Sequence, residues 1–158
     1  MSVNVPTSPL PEVKNAKVAI VVAEWNGRIT SSLLDGALTS LSSAGLGKDD
    51  IKVVYVPGAV ELTYGAARLI DTGEYDAVIV FGCVVRGDTP HFDYVCESVT
   101  QGVTQLNAQG RCPVIFGVLT VENEQQAFDR LGGPAGHKGI EAGDTAVRMI
   151  AFSRSISK

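Results

Sequence analysis

Four short runs rich in valine and isoleucine recur along the chain: Val18 to Ala23, Ile51 to Val56, Ala77 to Val85, and Val114 to Leu119. Runs that are apolar on both alternating faces suit strands buried from both sides, as in a parallel sheet covered by helices. Between them the spacing becomes helical. Ile29, Leu33, Leu34, Ala37, Leu38 and Leu41 form one amphipathic stripe, closed by Gly45 as a C-cap. Glu61 to Asp71 carries Leu62, Ala66, Leu69 and Ile70 and stops at Gly73. Phe92, Val95, Cys96, Val99, Val103 and Leu106 make a third stripe, with Thr89 as N-cap, Pro90 at the first helical position and Gly110 as the stop. It is expected to be the longest central helix. Asn123 with Gln126 three residues on resembles a capping box and predicts a short helix reaching Arg130 or Leu131. Gly132, Gly133, Pro134 and Gly136 predict a loop, after which Ile140, Val147, Ile150 and Ala151 resume helical spacing. Four strand-helix units joined by right-handed crossovers predict a three-layer α/β/α domain, with a four-stranded parallel sheet and helices on both faces.

The 158 residues fit one such domain. Residues 1–16 are expected to be an extended amino-terminal arm, because Pro6, Pro9 and Pro11 disfavour a helix; residues 17–158 are expected to form the α/β domain. No apolar run approaches the roughly 20 residues of a membrane helix, so no membrane contact is expected. Met1 to Pro11 lacks the cationic start and apolar core of a secretory signal, which points to the cytoplasm. Net charge is −4, with no basic run longer than a pair, which argues against a nucleic-acid partner. Cys83, Cys96 and Cys112 are odd in number and lack Cys-x-x-Cys spacing, so reduced core thiols are expected rather than a disulfide framework or a metal site.

In open parallel sheets ligands bind beyond the carboxyl ends of the strands. The segments there read Glu24-Trp25-Asn26-Gly27, Pro57-Gly58-Ala59-Val60-Glu61, Val84-Val85-Arg86-Gly87-Asp88-Thr89-Pro90-His91 and Thr120-Val121-Glu122-Asn123. Thr89-Pro90-His91 opens a helix whose free N–H groups and positive dipole end suit a phosphate, or it is a simple cap. His91 at that end is disfavoured as a cation, so it suits proton transfer near neutral pH; a plain surface histidine is the alternative. Trp25 can stack on a heterocycle beside the Asn26 amide, or pack in the core. Glu61 can accept hydrogen bonds from polyol hydroxyls or only stabilise a helix start. Arg130, at the end of the short helix, can bind phosphate or only the helix dipole, and Lys138 in its glycine-framed loop can be a solvated charge.

Val85-Arg86-Gly87-Asp88-Thr89-Pro90-His91-Phe92-Asp93-Tyr94, Phe116-Gly117-Val118-Leu119-Thr120 followed by Glu122, Asn123, Glu124, Gln125, Ala127 and Arg130, and Val56-Pro57-Gly58-Ala59-Val60-Glu61 together resemble the lumazine synthase family. The resemblance runs in unbroken order from about Lys17 to about Met149. It implies a flavodoxin-like topology and the condensation of 5-amino-6-(D-ribitylamino)uracil with 3,4-dihydroxy-2-butanone 4-phosphate to 6,7-dimethyl-8-ribityllumazine, with no metal or other cofactor. It further implies that Trp25 stacks on the pyrimidine and that Asn26 with Ala59, Val60 and Glu61 holds the ribityl chain. The backbone of Cys83, Val84 and Val85 would line the ring's edge. The Asp88 backbone, Thr89 and Arg130 would hold the phosphate, and His91 would transfer protons. Phe116 and Lys138 match positions that a neighbouring subunit contributes in a homopentamer.

Twelve such pentamers can close a sixty-subunit shell, which the compact Gly132 to Gly136 loop suits, and a riboflavin synthase is the candidate partner inside it. The chain departs from the family pattern at Trp25, where Phe is also common, at Thr63 for a frequent proline, at Val121 for a frequent threonine, and at His137 for a common asparagine. An archaeal-type riboflavin synthase and a non-catalytic flavin- or lumazine-binding shell protein are the competing readings.

Overall fold

The computed structural model describes residues 6–157. Residues 1–5 of the expected arm, and Lys158, lie outside the described residues. The four valine- and isoleucine-rich runs form strands β1 (Val18–Ala23), β2 (Ile51–Val56), β3 (Ala77–Val85) and β4 (Val114–Val121), all parallel, in the order β2-β1-β3-β4. The first three match their predicted bounds. β4 continues two residues further because Thr120 and Val121 stay paired with Val84 and Val85.

Side-chain alternation divides the interior into two cores. Val18, Ile20 and Val22 of β1 and Ile79 and Phe81 of β3 pack with α1 (Gly27–Ser43) and the final helix. Ala19, Val21 and Ala23 of β1, with Val78 and Val80 of β3, pack instead under α2 (Leu62–Thr72) and α3 (His91–Ala108). The three-layer α/β/α architecture with flavodoxin-like topology follows. Burial from both sides holds for β1 and β3 but not for the sheet's edges. Lys52 and Tyr55 of β2 and Phe116 and Thr120 of β4 are exposed.

Several local expectations change. Gly73 caps α2 at φ 71°, whereas α1 has Ala44 as its C-cap and Gly45 follows it at φ 95°, both glycines in the left-handed region that glycine enters freely. A single 3-10 turn over Ala59–Glu61 precedes α2, which therefore starts at Leu62. α3 starts at His91, one residue after the expected Pro90, and its 18 residues fall one short of the final helix. α4 (Glu124–Phe128) stops before Arg130, because the chain tightens there: Arg130 N bonds to Ala127 O. Asn123 does cap it, accepting from Gln126 N at 3.1 Å, but the Gln126 side chain returns to Glu122 N and not to Asn123 N, so the capping box is incomplete. The expected loop at Gly132 to Gly136 is a tight antiparallel hairpin of β5 (Leu131–Gly133) and β6 (Gly136–His137). α5 (Lys138–Ile156) follows, with His137 as its N-cap through Nδ1, accepting from Ile140 N at 3.4 Å.

Residues 6–16 contain no helix or strand. They cross α5: Arg148 donates to Ser8 O at 2.6 Å and Arg154 to Lys14 O at 2.7 Å, while Val13 and Ala16 are buried. No helix among the described residues is long and apolar enough to cross a membrane.

Candidate active site

With every strand of the four-stranded sheet parallel, the carboxyl ends of β1, β2 and β3 lie along one rim, and hydrogen bonds tie their following turns together. Glu24 N donates to Val56 O at 2.8 Å and Trp25 N to Pro57 O at 3.0 Å, joining the turn after β1 to the turn after β2. Asn26, in the left-handed region at φ 58°, sends its Nδ2 to Cys83 O at 2.8 Å and so joins the same turn to β3. Thr30 Oγ1 closes it by donating to Ala23 O at 2.8 Å. Held this way, Trp25 is 69% exposed, which removes the core-packing alternative for its indole. Gly58 N donates to Glu61 Oε2 at 3.0 Å, placing that carboxylate beside the indole; Ala59 is buried and Val60 exposed. Cys83 and Val84 are buried and Val85 is half-buried. Burial, with the charge of Glu124 adding to it, pushes the Cys83 thiol up to about 11. It stays neutral near pH 7 and suits a wall rather than a nucleophile.

The loop from β3 into α3 is fixed mainly by Arg86. Its Nε lies 2.7 Å from Glu122 Oε2, its Nη2 3.4 Å from Asp93 Oδ1, and its guanidinium 4.2 Å above the centre of the Phe92 ring. Asp88, Thr89 and His91 are exposed on this loop, and Thr89 Oγ1 accepts from His91 N at 3.4 Å. Pro90, and not the expected Thr89, is therefore the residue that precedes the helix, and Thr89 takes one N–H of the helix start from one position earlier.

Phe116, Arg130 and Lys138 lie elsewhere. They line an open groove of about 1460 Å³ along the outer edge of β4, with Met149 and Phe152 of α5, and neither Trp25, Asn26, Asp88, Thr89 nor His91 reaches it. Arg130 Nη1 donates to Gln126 O at 2.6 Å, satisfying the end of α4 as its position suggested. Lys138 is not a solvated charge: its side chain is 11% exposed and its Nζ lies 2.9 and 2.7 Å from the two oxygens of Glu141. One protomer therefore gathers Trp25, Asn26, Ala59 to Glu61 and Cys83 to Val85 at the rim, carries Asp88, Thr89 and His91 on the adjoining loop, and holds Phe116, Arg130 and Lys138 apart.

Glu141, and Glu122 and Asp93 as the partners of Arg86, had no role in the sequence reading. The i,i+3 spacing of Lys138 and Glu141 on a helix was a usable signal for the first. Among the described residues no group of three His, Cys, Asp or Glu side chains is placed to hold a metal ion.

A sequence model of the 6,7-dimethyl-8-ribityllumazine synthase family matches residues 15–154. The chain belongs to that family. As a 6,7-dimethyl-8-ribityllumazine synthase family member it is an enzyme, and the matched span takes in the rim, the loop and all of the groove's lining but Ile156. Proteins of the same name are similar along nearly their whole length. That of Phocaeicola vulgatus is 51% identical over 149 residues, covering 94% of this chain and 89% of the relative. That of Parabacteroides distasonis is 55% identical over 144 residues, covering 91% and 90%. That of Porphyromonas gingivalis is 54% identical over 145 residues, covering 92% and 90%.

Proposed function

We propose that the chain condenses 5-amino-6-(D-ribitylamino)uracil with 3,4-dihydroxy-2-butanone 4-phosphate to 6,7-dimethyl-8-ribityllumazine, releasing phosphate and water, as the penultimate step of riboflavin biosynthesis. The observation that carries this is Trp25: an indole 69% exposed yet held by backbone bonds where three strand ends meet. Its face stacks on the pyrimidine, Asn26 and Ala59 to Glu61 hold the ribityl chain, and the backbone of Cys83, Val84 and Val85 borders the ring. The Asp88 backbone, Thr89 and Arg130 hold the phosphate. The diaminouracil brings its own nucleophilic amine, so imine formation, phosphate elimination, ring closure and dehydration need orientation and proton movement, which His91 supplies.

The separation of the rim from Phe116, Arg130 and Lys138 supports a site shared between subunits. The groove along β4 exceeds the roughly 300–1,000 Å³ of an ordinary ligand pocket, and its apolar lining suits a second copy of the chain. In this reading a cytoplasmic homopentamer brings Phe116, Arg130 and Lys138 of one subunit to the rim of the next. The short hairpin suits closure of twelve pentamers into a shell able to enclose a riboflavin synthase.

The test is incubation of purified protein with both substrates. A fluorescent lumazine is expected; riboflavin formed from lumazine alone, without turnover of the two substrates, would reverse the assignment. His91→Ala should slow turnover by roughly 10²–10⁴-fold while pyrimidine binding stays measurable, and unchanged turnover would remove the proton-transfer role. Mass measurement in solution separates five subunits from sixty.

A further inference from the structure

We propose that Gly58 is the seat of the Trp25 indole, a positioning residue that fixes the attitude of the stacking ring because it has no side chain. A Cβ built on Gly58 would stand 2.4 Å from Trp25 Cε3 and 2.7 Å from Cζ3, closer than bonded chemistry aside any two such carbons approach. The benzo half of the indole therefore rests directly on the Gly58 backbone. Gly58 is buried although its neighbour Pro57 is exposed, while the ring above it remains 69% exposed. One side of the indole is thus spent on the backbone and the rest is left free for a ligand.

Backbone conformation gives no other reason for glycine here. Gly58 has φ −144° and ψ −174°, an extended geometry open to any residue. Its N–H is already committed to Glu61 Oε2, and the Trp25 N–H to Pro57 O, so both ends of the contact are anchored. An exposed aromatic with few neighbours would otherwise sample several rotamers, and each must be frozen again when substrate binds. The seat removes that cost before the pyrimidine arrives, which lowers KM for that substrate and leaves the chemical step alone.

The inference rests on Trp25 being the pyrimidine shelf, and its test separates the two ideas. Trp25 is the chain's single tryptophan, so the fluorescence of the free protein reports the seat without any substrate. Gly58→Ala should fold normally, shift the emission and increase acrylamide quenching. In steady-state assays it should raise KM for the diaminouracil up to about tenfold, with KM for the butanone phosphate and kcat nearly unchanged. Unaltered emission and quenching would overturn the seat. Altered fluorescence with an unaltered diaminouracil KM would keep the contact but overturn its function, whereas the shelf role of Trp25 itself falls only if Trp25→Leu leaves that KM unchanged. The added methyl also comes within 3.2 Å of Glu61 Oε2, so the pair Trp25→Leu and Trp25→Leu with Gly58→Ala completes a double-mutant cycle. Action through the indole requires that Gly58→Ala add little once the indole is gone; full additivity would place the effect on Glu61 and overturn the proposal.

Discussion

Arg86 leaves the end of β3 and meets three side chains at once, Glu122 after β4, Asp93 in the first turn of α3, and the face of Phe92. Exposed ion pairs contribute little singly, but a planar guanidinium that binds two carboxylates and stacks on a ring fixes an orientation that an ammonium cannot. Phe92 and Asp93 directly follow His91, so Arg86 holds the backbone that carries the imidazole. Arg86→Lys should therefore lower kcat roughly tenfold while Tm stays within about 4 °C, measured by steady-state assay and thermal melting. Wild-type turnover in that variant would show that the loop holds its shape without the fork. At this scale the site was partly legible. Trp25, Asn26 and His91 stand where strand ends predicted ligand contacts, because register in a parallel sheet carries sequence position directly into space. The placement of Arg130 and Lys138 in a separate groove was not legible, since it depends on how a hairpin folds back across β4.

α2 and α3 touch where Thr63 meets Gly102. A Cβ on Gly102 would lie 2.1 Å from Thr63 Oγ1, and that hydroxyl is buried with no hydrogen-bond partner among the described residues. The contact is thus tight and carries a polar atom with its water stripped away, a burden of about 1–3 kcal/mol in comparable sites. Thr63→Val keeps the branched shape and removes the oxygen, so it should raise stability by about 1 kcal/mol, seen as a Tm increase of roughly 2–4 °C. Gly102→Ala should lower it by about 1–3 kcal/mol through overpacking. A lower Tm for Thr63→Val would mean that the hydroxyl has a partner in solution. Elements were legible where local pattern and tertiary packing agree. β1, β2 and β3 end where their apolar runs end, α2 is capped by Gly73, and α1 stops two residues before Gly45. β5 and β6 were not, because Gly132, Pro134 and Gly136 read as breakers, and strands of three and two residues owe their pairing to the fold around them rather than to propensity.

The two cores on either side of the sheet each bury a thiol, Cys83 toward α1 and α5 and Cys112 toward α2 and α3. Burial pushes both from the usual 9.0 up to about 11, helped by Glu124 at Cys83 and by Asp76 at Cys112, where Arg111 opposes the rise. The folded protein thus holds two protons more tightly than the unfolded chain does. Between about pH 9 and pH 11 the unfolded state sheds them first, so unfolding is favoured increasingly as pH rises through that window. Below pH 9 both states keep the protons and these groups add no slope. Urea unfolding should accordingly give a midpoint independent of these thiols near neutral pH and falling steeply above pH 9. Tyrosines and lysines also titrate there, so the discriminating measurement is the difference between wild type and the variant combining Cys83→Ala with Cys112→Ala. That variant starts less stable because it leaves two small cavities, and its midpoint should fall more gently between pH 9 and 11. Parallel curves for the two proteins would mean that water reaches the sulfurs and that neither core is sealed at the sheet.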